Sequence, residues 1–420
     1  MSSRKIIAHC TLVTPLGNSA RKGKEMRELH IVEDAFVFIE DGIIKCTGQM
    51  KDLEVLGLSG TAEWLDAGGR VVLPGFVDSH THLVFGGFRP DEFSWRLKGD
   101  SYMSIMERGG GIQSTVQATR ATSKEALVKR AEWFIDRMVE MGVTTVEAKS
   151  GYGLDTETEI KMLEALGELS EREDRKVDMV ITFLGAHAVP KEYAGRTSEY
   201  CDVIINEMLP RVKDKAKFFD IFTEKNVFEI EDSRRLLQAA KKAGMQLKLH
   251  ADEIVQLGGA ELAAEVGAVS ADHLLHVSDE GIRRMAEEGV VATLLPPTAF
   301  ALKEPYAPAR KFIDGDCAVA LATDLNPGSC FSGSIPLTIS LACIYMNMSI
   351  EEVITALTLN GAAALGIADE TGSVEPGKKA NLVILDFPSI HFLPYYVCMN
   401  CVNTTILHGN VIYQREGLES

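Results

Sequence analysis

Cation-binding side chains close three apolar runs. They are His80 and His82 in Val77-Asp78-Ser79-His80-Thr81-His82, His250 in Leu247-Lys248-Leu249-His250, and Asp324 in Ala322-Thr323-Asp324. Side chains alternate along a strand, so the two imidazoles of a His-x-His pair point the same way. Three ring nitrogens and one carboxylate suit a single divalent ion such as zinc or iron. Such an ion lowers the pKa of a bound water towards neutrality and makes hydroxide available near about pH 7. The pattern points to metal-assisted hydrolysis. A His-x-His alone is better explained by chance. The weight comes from the polar residues that end the other apolar runs.

Those runs imply the elements that must position the ligands. Strand-like stretches at 71–77, 144–148, 177–184, 218–222, 247–250, 269–273, 290–295 and 319–323 alternate with helix-like stretches such as 123–141 and 156–171. Eight βα units close a parallel barrel, whose reactive groups gather at the C-terminal edge of the strands. The residues expected at that edge are His80 and His82, Lys149 to Tyr152, His187, Glu224, His250 with Glu253, His273, Pro296, and Asp324 with Asn326. Any one of these histidines is better read as a satisfied core residue. Their recurrence at one edge is not. Outside the barrel, 35–46 predicts a hairpin turning at Asp41-Gly42, and 380–386 and 404–413 predict further strands. Neither end is large enough to build much of a core alone. The expected architecture is α/β: a (β/α)8 TIM-type barrel over 70–368, with a small β-sandwich domain built from both termini, 1–69 and 369–420.

Composition narrows the function. The chain has 420 residues, 46% of them hydrophobic, and no apolar run long enough to span a membrane. The N-terminus lacks the long apolar run and cleavage site of a signal peptide. Eight scattered cysteines fit a reducing cytoplasm, and Cys398-Met399-Asn400-Cys401 has no second pair to complete a metal site. The net charge of −17 argues against nucleic-acid or anionic-membrane partners. It also means that a small anionic substrate needs a locally placed cation.

Pro74-Gly75-Phe76-Val77-Asp78-Ser79-His80-Thr81-His82 resembles the metal motif of the amidohydrolase superfamily. Longer segments resemble those of the imidazolonepropionases within it. These include Glu147-Ala148-Lys149-Ser150-Gly151-Tyr152-Gly153-Leu154, Leu184-Gly185-Ala186-His187-Ala188-Val189-Pro190, His250-Ala251-Asp252-Glu253, Ser270-Ala271-Asp272-His273-Leu274 and Ala322-Thr323-Asp324-Leu325-Asn326-Pro327-Gly328-Ser329. The resemblance covers nearly the whole chain. It implies hydrolysis of 4-imidazolone-5-propanoate to N-formimidoyl-L-glutamate in L-histidine degradation, by a cytoplasmic homodimer. One zinc or iron ion per chain, divalent or trivalent, would be held by His80, His82, His250 and Asp324. Glu253 and His273 match the family's proton-transfer positions. Arg89, Tyr102, Tyr152, His187, Asn326, Gly328 and Ser329, with Glu253, match its substrate-contacting positions. Ser329 stands where Thr is common, and the wording around Arg89 differs slightly.

Each assignment has a plainer alternative. Glu253 could be an acid favoured by a helix N-terminus. Arg89 could be a surface cation paired with Asp91 or Glu92, and Tyr152 a rim aromatic. Lys149 invites a bridging-lysine, two-metal reading, but its place on the second strand favours a supporting role and a mononuclear site. His276 reads as structural, and Glu107 and Arg108 as solvated charges. Another mononuclear aminohydrolase, acting on a cytosine- or guanine-like ring, would share the ligands but release ammonia. A catalytically silent scaffold barrel would be expected to lack some of them.

Overall fold

The computed structural model describes residues 3–53, 55–57, 62–100, 108 and 110–415. Tyr102 and Glu107 lie outside the described residues.

The N-terminal part supplies β1 (Arg4–Thr14), β2 (His30–Glu40), β3 (Ile43–Gln49), β4 (Glu63–Asp66) and β5 (Val71–Pro74). The β2–β3 hairpin turns at Asp41 and Gly42, whose φ values of 51° and 78° are those a tight two-residue turn requires. The barrel strands follow: β6 (Phe76–Asp78), β7 (Val143–Lys149), β8 (Asp178–Ala186), β9 (Phe218–Thr223), β10 (Gln246–Ala251), β11 (Ser270–His273), β12 (Val291–Leu294) and β13 (Val319–Leu321). The chain ends with β14 (Leu382–Leu385), β15 (Val402–Leu407) and β16 (Asn410–Gln414).

Strands β6 to β13 pair in sequence order and in parallel. The ring shuts where a bridge joins Thr81 to Leu325, with His82 N–H donating to Leu325 O at 2.8 Å and Asp324 N–H to His80 O at 3.0 Å. Three of the proposed ligands thus sit on the closing seam itself. Helices return the chain between strands. Those at Lys124–Glu140 and Thr156–Glu171 start on side-chain caps, Ser123 and Asp155, and bury Leu, Ile, Val and Met against the strands.

The second sheet runs β16-β15-β14-β5-β1-β2-β3, with β4 also on β1, so both termini build one small β domain beside the (β/α)8 barrel. The apolar run at 71–77, expected as one strand, is two. Residues Val71–Pro74 pair with β1 and β14, and only Phe76–Asp78 enters the barrel. The break is Gly75, where any Cβ would overlap the Thr144 side chain. The domains are pinned together at Asp178, which accepts from Asn381 Nδ2 at 3.1 Å and lies 2.9 Å from His408 Nε2.

Candidate active site

Most of the barrel strands deliver a polar side chain to one buried cluster. His80 and His82 follow β6, and the Asp78 carboxylate beneath them accepts from Thr323 N–H at 3.0 Å and Thr323 Oγ1–H at 2.6 Å. Burial pushes Asp78 up to about 7. Two site residues take left-handed backbone, His273 at φ 76° and Asp324 at φ 53°. Such conformations persist where the surroundings impose them, and they re-aim a side chain at a strand end.

The imidazoles converge. Ring centroids are 4.6 Å apart for His80 and His250, 5.4 Å for His80 and His82, 5.1 Å for His250 and His273, and 5.0 Å for the stacked pair His82 and His187. Asp324 is bonded on one side by Thr298 Oγ1–H at 2.7 Å. Its Oδ1 faces His80 Nε2 at 3.6 Å and His82 Nε2 at 3.5 Å. Burial raises Asp324 to about 6. Burial also lowers the pKa of His80, His82 and His273, keeping these rings neutral with a lone pair to give. In His250 burial is outweighed by Asp220, and the pKa is raised.

Two buried atoms decide what this arrangement can hold. His80 Nε2 and His250 Nε2 are sealed from solvent and have no hydrogen-bond partner. Their Nδ1 atoms lie against carboxylates, Asp272 Oδ2 at 2.6 Å and Asp220 Oδ2 at 3.1 Å. An Nδ1–H donated outward leaves the Nε2 lone pair directed inward. His80, His82 and Asp324 place ligand atoms within 4.8 Å of one another, and so do His80, His250 and His273. The donor set fits a divalent cation of the zinc or iron type.

Glu253 lies past β10 on a loop held by two other carboxylates. Asp252 accepts from the backbone N–H groups of Leu257, Gly258, Gly259 and Ala260, and Glu224 from those of Ile254 and Val255. The next helix starts only at Gly259, so Glu253 is not in its first turn. Burial, then Asp324, pushes its carboxyl up to about 8. Its Oε1 is 3.5 Å from His273 Nδ1, and the two are not hydrogen-bonded. His187 Nδ1 sits 3.0 Å from Gly151 O, and burial lowers the ring to about 3. Tyr152 packs 5.7 Å from the His82 ring; burial, then Asp324, raises its phenol, while Arg89 acts the other way.

Arg89, Asn326, Gly328 and Ser329 form an adjoining wall. Arg89 is paired with Glu92, as one sequence alternative had it, but off the surface, with the side chains 13% and 8% exposed. Nε and Nη2 both donate to Glu92 Oε2, at 2.9 and 2.7 Å, leaving Nη1 turned towards Gly328. Asn326 is committed to the loop: Oδ1 accepts from Gly328 N–H and Ser329 N–H, and Nδ2 donates to Asp324 O and Ser329 Oγ. A cavity of about 590 Å3 opens beside Arg89, Gly328 and Ser329, walled by Phe88, Phe93 and Phe300.

The sequence profile described as the Amidohydrolase family matches residues 71–412. A protein of Bacteroides thetaiotaomicron named imidazolonepropionase is 61% identical over 98% of this chain and 99% of its own length. One of Phocaeicola vulgatus with the same name is 60% identical over 98% of this chain and all of its own. The chain belongs to the imidazolonepropionases of the amidohydrolase family. Among solved structures, the 5-methylcytosine deaminase from Klebsiella pneumoniae liganded with 5-fluorocytosine aligns with a TM-score of 0.75 at 19% identity, over 99% of this chain and 98% of its own. An adenosine deaminase from Xanthomonas campestris with bound zinc gives 0.72 at 19% identity, over 100% of this chain and 95% of its own. At that identity the likeness is one of fold. Amidohydrolases are metal-dependent hydrolases, and this member has the His/Asp groups able to bind the metal.

Beneath the candidate ligands lies a buried layer of which the sequence reading gave only Lys149, on β7, a supporting role; it missed Glu147 on β7, Asp220 on β9, Lys248 on β10 and Asp272 on β11. A signal was present. Counting back by two from His250 reaches Lys248, and from Lys149 reaches Glu147, so period-two alternation points both inward. Glu92, which holds Arg89, is an i,i+3 partner at the start of the helix Pro90–Leu97.

Proposed function

We propose that the chain hydrolyses 4-imidazolone-5-propanoate to N-formimidoyl-L-glutamate. The observation that carries this is the 60–61% identity, over almost the whole length of both chains, to proteins named imidazolonepropionase. His80, His82, His250 and Asp324 would hold one zinc or iron ion per chain. When bound, the ion supplies acidity to a water and a positive charge for the ring carbonyl oxygen.

The chain's own groups do the rest. Glu253, buried beside the candidate ligands, takes the proton as water oxygen adds to the ring carbonyl carbon. It then delivers that proton to the ring nitrogen as the C–N bond breaks. The nearby His273 donates to the carbonyl oxygen as charge builds on it. His187 and Tyr152 pack the ring. Arg89 receives the propanoate on the guanidinium edge that Glu92 leaves open, where two parallel hydrogen bonds fit. Asn326, Gly328 and Ser329 shape the wall behind it. Purified protein mixed with freshly made imidazolone propanoate should abolish the substrate's ultraviolet absorbance at a rate proportional to enzyme, without ammonia. Ammonia release from a cytosine- or guanine-like ring, with no turnover of the propanoate, would move the chain to the aminohydrolases.

A further inference from the structure

Lys149, read from the sequence only as a supporting group, occupies the centre of a buried charge cluster. Its Nζ is 2.7 Å from Asp220 Oδ2, 2.7 Å from Glu147 Oε2 and 3.9 Å from Asp272 Oδ2, all with no solvent exposure. Asp220 and Asp272 are the carboxylates facing His250 Nδ1 and His80 Nδ1. We propose that Lys149 is a positioning residue. Its single ammonium holds Asp220 and also reaches Asp272, and so fixes the two rings in the tautomer and orientation that aim Nε2 at the cation.

The proposal rests on the assignment of His80 and His250 as ligands and deepens it. A buried carboxylate without a counter-charge is costly and turns away or takes up a proton. Lys149 offsets that cost for Asp220 and shares Asp272 with Lys248, which couples β7, β9 and β11 to ligands on β6 and β10. The neighbouring Lys248 makes the contrast. It is equally buried, but its Nζ stands 3.5 Å from Asp272 Oδ2, 3.6 Å from Glu147 Oε1 and 3.2 Å from Ser79 O. It is tied to Glu147, Asp272 and a backbone carbonyl, and only Lys149 also reaches Asp220. Carboxylates that orient metal-bound histidines typically set about 10–100-fold of metal affinity. Losing the group that holds one of them and reaches the other should fall in that range.

The test uses full-length apoprotein titrated with cobalt(II) against a competing chelator, with the cobalt(II) visible spectrum recorded alongside. Lys149→Met should weaken cobalt(II) binding by about 10–100-fold and alter the spectrum, while Lys248→Met stays within about threefold of wild type. Should Lys149→Met not fold, Lys149→Met/Glu147→Gln removes one charge of each sign, keeps the net charge of the layer, and should show the same loss. Wild-type affinity and spectrum in Lys149→Met or the double variant would overturn the proposal, as would equal losses in Lys149→Met and Lys248→Met. Failure of wild-type protein to bind cobalt(II) with one-to-one stoichiometry would instead overturn the ligand assignment beneath it.

Discussion

Gly328→Ala isolates the role of Arg89 with a single methyl group. The backbone at Gly328 is not left-handed, so alanine brings no conformational strain of its own. What it meets is the guanidinium: a Cβ built there stands 3.2 Å from Arg89 Cζ and overlaps Nη1 by about 1 Å relative to ordinary contact. Asn326 Oδ1, at 3.4 Å, stays in normal contact. Arg89 must therefore retreat by roughly 1 Å, and displacements of that size at a substrate-positioning group cost about 10²-fold, or about 2.7 kcal/mol of transition-state stabilisation. Glu92 keeps its bonds from Gly111 N–H and Ser114 Oγ–H, so the fold should lose little. The assay compares kcat/KM for imidazolone propanoate with that for an imidazolone lacking the carboxylate, with thermal unfolding as control. The expected result is a loss of about 10²-fold on the first compound, a much smaller loss on the second, and a nearly unchanged Tm. A propanoate kcat/KM within about threefold of wild type, or equal losses on both compounds, would refute the carboxylate clamp.

Three further outcomes follow from the same geometry. Glu253→Gln removes the proton acceptor at constant shape, so kcat should fall by about 10²–10⁴-fold while elemental analysis shows the metal retained; near-wild-type turnover at full occupancy would move the base elsewhere. Elemental analysis of wild-type protein should give about one zinc or iron per chain, whereas about two, both needed for activity, would revive the bridging-lysine reading. Asp178 is held near 2 against an ordinary 3.8: burial opposes ionisation, but His408, Lys379 and Asn381 more than offset it. A depressed carboxylate contributes stability that is present above its unfolded pKa and lost as pH falls through the folded one. The stability gap between wild type and Asp178→Asn should thus be about 2 kcal/mol above roughly pH 4 and vanish near pH 2; a gap independent of pH would contradict the charged junction.

The barrel was legible because each strand is a short apolar run and most of the runs end in a chemistry-bearing residue. Where legibility failed, the causes are specific. The run at 71–77 is apolar throughout because both of its halves are buried, so periodicity could not show that Val71–Pro74 serves the terminal sheet and Phe76–Asp78 the barrel. The pairing of Asp220 and Lys248 has no local signal because their partners, Lys149 and Ser79, lie 71 and 169 residues away. For Arg89, read as a substrate contact, the plainer alternative of a surface cation paired with Asp91 or Glu92 anticipated the partner but not the burial. Only the helix at Pro90–Leu97 brings Glu92 back onto it and turns the pair inward. The converging histidines were legible for the opposite reason, since barrel closure at Thr81 and Leu325 gathers strand ends that lie far apart in the chain.

Hydrolysis of imidazolone propanoate in oxygen-18 water tests the central claim most directly. If water adds to the ring carbonyl carbon and the adjacent C–N bond breaks, the product is N-formimidoyl-L-glutamate. It should carry one oxygen-18 in the carboxylate formed from that carbon, with no ammonia released. Label at the one-carbon unit between the two nitrogens, release of ammonia, or no consumption of the compound by metal-replete protein would contradict it.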